Sequence, residues 1–199
     1  MTPSFSRLRA LVLVVLMSFG LASCGINTIP TLQETAKAKW AEVENQYQRR
    51  ADLIPSLVET VKGYAKQEKD VLVAVTEARA KATAIHVDAN DLTDPAKVKQ
   101  VQDAQNALSG ALGRLLAVSE NYPDLKSNQN FLALQSQLEG TENRIAVARK
   151  DYIAAVQDYN IELRTFPGVI WASTVYRSAQ PMAGFTASEG AQTAPAVKF

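Results

Sequence analysis

The side chains able to do chemistry in this chain are few and poorly placed for catalysis. His86 is the single histidine and Cys24 the single cysteine, so neither a nucleophilic triad nor a Cys/His metal set can be assembled from them. His86 falls at an expected helix end beside a loop, where a solvated imidazole is the ordinary outcome. A lone cysteine also excludes an intramolecular disulfide. No glycine-rich loop with a following lysine is available to cradle a phosphate; Gly110 and Gly113 interrupt a helical pattern instead, and read as points of close helix approach. No catalytic, cofactor-binding or metal-binding residue is assigned on these grounds, and no cofactor is expected.

The densest polar group is Arg49, Arg50 and Asp52, just before Pro55. If the chain doubles back antiparallel, this group faces Glu139, Glu142, Asn143 and Arg144. Arg49, Arg50, Asp52, Glu142 and Arg144 then read as a polar interaction layer that fixes register between helices. The competing reading is a polar cleft, opened by the proline, that receives a peptide, a lipid headgroup or a partner loop. Lys62, Lys66 and Lys69 alternate with Glu59, Glu68 and Asp70 on what reads as a solvated face. Tyr47, Tyr64, Tyr152 and Tyr159 fall on apolar seams and read as core rather than as a ligand stack.

Cys24 has a different significance. Arg7 and Arg9 precede the uncharged run Ala10 to Gly20, which is followed by Leu21-Ala22-Ser23-Cys24-Gly25. This is the order of a secretory signal: charged region, apolar region, small-residue cleavage site. The run is shorter than the roughly 20 apolar residues needed to span a bilayer, which disfavours a permanent membrane helix. Leu21-Ala22-Ser23-Cys24 also resembles a bacterial lipobox, whose cysteine is acylated and becomes the first residue. Several acyl chains on one cysteine anchor stably, at about 0.8 kcal/mol per buried methylene. Residues 1–23 are thus expected to be a lipoprotein signal peptide and 24–30 a lipidated tether; the alternative is a plain signal peptide cut after Ala22 or Ser23 that leaves Cys24 a thiol. The membrane is the expected partner through Cys24, and the resemblance to Gram-negative lipoproteins, with Gly25 in place of an inner-membrane aspartate, implies the periplasmic side of the outer membrane.

These groups must be positioned by helices. The chain has 199 residues, is 47% hydrophobic and only 7% aromatic, which suits one all-α domain. Its 21 basic and 20 acidic residues leave a net charge of +1, giving no electrostatic case for nucleic acid. A helix is expected from about Leu32, with Thr31 and Glu34 as a capping box. Trp40, Val43, Tyr47, Ile54, Leu57, Val61, Val71 and Val75 recur at three-four spacing, predicting one helix as far as about Ile85 that kinks at Pro55. Asp94-Pro95 opens a second helix with Val98, Val101, Gln105, Leu108, Leu112 and Leu115 on its seam. A third, capped at Asp124 or Ser127, carries Phe131, Leu134, Leu138, Thr141, Ile145, Ala148, Tyr152, Ala155 and Tyr159 on one face. Together they predict an up-and-down antiparallel bundle of three or four long helices over residues 31–172. Residues 173–199, sparse in large apolar groups from Ser178 onward, are expected to form a flexible tail.

From about Ala36 to Ala172 the chain resembles the LemA family of bacterial envelope proteins. The resemblance rests on Lys39-Trp40, Arg49 to Pro55, Leu57 to Tyr64, Glu68, Ala78-Arg79-Ala80, Tyr122 to Lys126, Leu138-Glu139, Thr141 to Ile145, Ala148-Arg149, Tyr159-Asn160 and Phe166-Pro167. It implies a long-helix bundle attached to a membrane near its N-terminus, with no established catalytic residues. Ser56 and Ile153 stand where the family commonly has asparagine. The function expected is a non-enzymatic, lipid-anchored interaction or scaffold module with an unidentified protein partner. A homo-oligomer that shapes or signals at the bilayer is the alternative.

Overall fold

The computed structural model describes residues 25–89 and 91–186. Among them are six α-helices, a short 3-10 turn and no strand: α1 (Thr28–Tyr64), α2 (Lys69–Ala84), the turn Asp91–Thr93, α3 (Pro95–Ser119), α4 (Pro123–Lys126), α5 (Gln129–Glu162) and α6 (Gly168–Thr174). The expected all-α bundle is the fold. The signal region and Cys24 lie outside the described residues.

α1 and α5 form the frame. At 37 residues α1 is about 55 Å long, and α5 packs antiparallel along all of it. Register is fixed by pairs at three heights: Lys39 with Asp151, Arg50 with Glu142, and Tyr64 with Asn128. α2 and α3 fill the other half of the bundle, completing an up-down-up-down arrangement.

Two boundaries differ from expectation. The first helix does not run to Ile85; it ends at Tyr64, and the chain turns through Ala65 to Glu68 before α2 comes back along α1. Val61, Ala65, Leu72 and Val75 all enter the same core from the two arms of this hairpin. The three-four pattern therefore continues across the turn, and periodicity alone does not register it. At the start, Thr31 lies inside α1 rather than capping it, and its hydroxyl donates to the carbonyl of Asn27.

Pro55 does not interrupt α1. Its missing N–H leaves the carbonyl of Ala51, four residues earlier, without its helical donor. Arg79 Nε of α2 supplies one across the hairpin at 2.7 Å. A defect in one helix thus becomes a tie to its neighbour.

Other helix starts follow capping chemistry. The Asp94 side chain accepts from the backbone N–H of Ala96, ahead of Pro95 in the first turn. Asn128, rather than Asp124 or Ser127, caps α5 by accepting from the N–H of Phe131. Gly110 and Gly113 are not points of helix approach: a Cβ built at either meets nothing within 4 Å.

Apolar residues form two cores stacked along the bundle axis. One, toward the hairpin, holds Ile54, Leu57, Val61, Leu108, Leu115 and Phe131. The other holds Trp40, Val43, Tyr47, Val98, Tyr152 and Tyr159, and it extends beyond the expected domain to Met182 and Phe185. The expectation of a flexible segment from residue 173 fails as far as residue 186, because the chain folds back as a strap. Asn160 exchanges two hydrogen bonds with the backbone of Met182, Gln102 does the same with Thr186, and Ala183 N–H donates to the carbonyl of Leu92. Phe185 stacks on Trp40 with centroids 5.6 Å apart, meets Tyr152 edge-on, and lies under the Arg149 guanidinium.

Candidate functional site

The polar layer lies between the two cores, and Arg50 is its centre. Step by step along α1, Tyr47 belongs to one core and Ile54 to the other, while Arg50, on the same face, points inward and is only 1% exposed. Burying a guanidinium requires partners for its donors. Nη1 donates to Glu142 Oε1 of α5 and to Ser109 Oγ of α3, each at 2.7 Å. Nη2 donates to the carbonyl and the side-chain oxygen of Gln105, also on α3. The guanidinium also sits 5.5 Å from the Tyr47 ring centroid. Among the described residues its Nε has no hydrogen-bond partner.

Of the five residues expected to form this layer, the structure joins two, Arg50 and Glu142. Arg49, Asp52 and Arg144 are exposed on the outer faces of their helices. Asp52 accepts from Gln48 one turn earlier, and Arg144 lines a shallow groove with Glu42, Gln46 and Asp151. The reason is angular: neighbours in sequence are about 100° apart on a helix, so Arg50 in the seam forces Arg49 and Asp52 away from it. Gln105 and Ser109 were missing from the expected set. Gln105 gave a signal, as a polar residue on the seam of α3, whereas Ser109 gave none.

A cavity of about 270 Å³ opens beside the layer between α1, the end of α2 and α3, lined by Trp40, Glu44, Tyr47, Ala82, His86 and Gln105. Burial raises the Glu44 carboxyl above the ordinary carboxylate range, with the Trp40 indole and the His86 charge pulling it back. Burial likewise raises the Tyr47 phenol. The Thr83 hydroxyl lines the same cavity but is engaged locally, donating to the carbonyl of Arg79 one turn earlier. Among the described residues no group of three or more His, Cys, Asp or Glu is placed to hold a metal ion. A second groove, of about 590 Å³, lies near the hairpin tip, lined by Val58, Leu72 and Val73, by Lys62, Lys66 and Lys69, and by Glu59 and Glu77, with Glu59 paired to Lys62.

The arginine clamp, the Ala51 carbonyl freed by Pro55 and tied by Arg79, and the Tyr122 hydroxyl donating to Glu68 all use residues on which the family resemblance rests. Residues 39–199 match the sequence model of the LemA family. The chain belongs to the LemA family. Among curated relatives, magnetosome proteins MamQ 1 and MamQ 2 of Paramagnetospirillum magneticum are each 30% identical over 161 residues, covering 71% of this chain and 58% of theirs. Protein LemA of Metamycoplasma hominis is 30% identical over 118 residues, covering 59% of this chain and 49% of its own. This LemA-family chain thus spans less than two thirds of the length of the relatives it matches. Among the described residues no helix is long and apolar enough to cross a membrane.

Proposed function

We propose that this protein is a lipid-anchored, non-enzymatic strut of the bacterial envelope that carries a protein-docking groove away from the membrane surface. The observation that carries the reading is the position of the Val58, Leu72 and Val73 groove near the hairpin tip. α1 begins a few residues after Cys24 and ends at that tip, so anchor and groove are separated by most of the 55 Å or so of the helix. Val73, which lines the groove, is 52% exposed, and apolar surface rimmed by three lysines and two carboxylates, with Lys66 and Lys69 outside the Lys62–Glu59 pair, suits an amphipathic segment with acidic flanks. The anchor itself is Cys24, acylated on the periplasmic side of the outer membrane.

A photo-crosslinking residue at Val73 in cells tests the docking. The expected result is a discrete adduct that disappears when Lys62, Lys66 and Lys69 are changed to glutamate. Adducts no more abundant than those from a probe at exposed Gln48 would contradict it. Self-association is the second reading, favoured by Leu132 and Val147, 48% and 60% exposed on α5. An adduct of twice the chain mass from a probe at Val147 would support that reading instead.

A further inference from the structure

The two ends of the bundle differ in chemistry. The hairpin end is dense with charge: Glu59, Lys62, Lys66, Lys69 and Asp70 surround the turn. At the opposite end, where Gly25 meets the close of α5 and the start of α6, residues 25–33 and 163–176 contain a single charged side chain, Arg164, although 21% of the chain is charged. Apolar groups project there into solvent. Phe166 is 81% exposed, Val169 42% and Ile170 45%. A soluble surface scatters such residues, whereas here three fall within five positions of one turn.

We infer that the Phe166 to Ile170 turn is a membrane-contact wedge that inserts into the phospholipid interface. The inference rests on the proposal that the N-terminal side of the chain is held at a membrane. The occupant is argued from where the preceding chain ends. Ala10 to Gly20 is an uncharged run leading to Cys24, and the next residue, Gly25, packs against this same turn. A Cβ on Gly25 would lie 3.4 Å from Pro167 Cγ and 3.6 Å from Trp171 Nε1. Whatever membrane receives that N-terminal segment therefore meets Phe166 and Ile170 at once. The remaining chemistry fits a bilayer edge. Trp171 stands beside the turn, partly buried against the core with its indole N–H enclosed, and is placed to report on what the turn meets. Arg164 and Arg177 are exposed nearby and complement anionic headgroups, outnumbering the one carboxylate at the turn, Glu162, which is half-buried against Gly168. A second attachment beside the first restricts pivoting, so the bundle stands away from the surface and the groove is held at a set distance.

The two tryptophans make the test direct. Trp171 adjoins the wedge, whereas Trp40 is buried and lies about 18 Å along the axis from the start of α1. The processed full-length protein is reconstituted into phosphatidylethanolamine and phosphatidylglycerol vesicles whose lipids carry bromine high on the acyl chain. The expected result is a loss of tryptophan emission, relative to unbrominated vesicles, that is absent in Trp171→Phe. Phe166→Asp with Ile170→Asp, at exposed positions, is expected to reduce that loss severalfold while leaving the melting temperature unchanged. Protein that floats with vesicles but shows no Trp171-dependent quenching would overturn the wedge while leaving the anchor standing. Protein that neither floats nor quenches would overturn both.

Discussion

At the scale of single residues, the governing fact is that a cation is buried and its partners are unequal. Arg50 is enclosed, whereas Glu142 has a side chain 40% exposed. Removing Glu142 strands a charge in the core; removing Arg50 leaves a carboxylate that can turn to water. Glu142→Leu is therefore expected to destabilise by about 3 kcal/mol and Arg50→Met by only about 1–2 kcal/mol, read from urea midpoints. Equal losses would mean that the clamp is not a desolvated cation. Arg144→Leu, at an exposed position, is expected to stay within about 0.5 kcal/mol of the parent. Sequence made Arg50 legible because it interrupts the apolar seam of α1, and Glu142 because an antiparallel third helix brings it opposite the arginines. It over-read Arg49, Asp52 and Arg144, whose nearness in sequence does not translate into a shared face.

At the scale of helices, the seams were legible because each helix buries one continuous stripe. What escaped was any feature in which one element completes another. The α1–α2 turn keeps the period of the seam, so it left no break in the pattern. Arg79 answers a carbonyl exposed by Pro55 in another helix, and nothing local announces that bond. Its consequence is measurable: Arg79→Leu is expected to cost about 1–3 kcal/mol, and Pro55→Ala, by restoring the helical N–H to Ala51, is expected to recover part of that loss. Additive effects of the two substitutions would contradict the pairing. Gly110 and Gly113, facing open space in α3, are each expected to gain about 0.5–1 kcal/mol on change to alanine. The strap from residue 175 to 186 was hidden for a compositional reason: Met182 and Phe185 are isolated among small and polar residues, yet both reach the core. Phe185→Ala is expected to cost about 3–5 kcal/mol, with loss of amide protection at Ala183; protection unchanged would mean that the strap holds without its aromatic anchor.

At the scale of the whole molecule, two cores joined by one polar layer make a single long body with chemically distinct ends. Alkali should test its unity. Burial raises the phenols of Tyr47, Tyr152 and Tyr159 above their ordinary value, and all three belong to the core that includes the strap. Because the folded values exceed the unfolded value of about 10, their stabilising contribution is complete below about pH 10 and is lost as pH rises through the raised values. Phenolate absorbance from these three residues should accordingly appear together with loss of helix. The groove and the wedge matter biologically only if the chain is held at a membrane from its N-terminal side, and that is the central claim. Mass spectrometry of the N-terminal peptide from the membrane fraction tests it most directly. The prediction is a mature chain beginning at Cys24 and carrying acyl groups, with Cys24→Ala left unprocessed. An unmodified Cys24 thiol, or a mature chain beginning elsewhere, would contradict it.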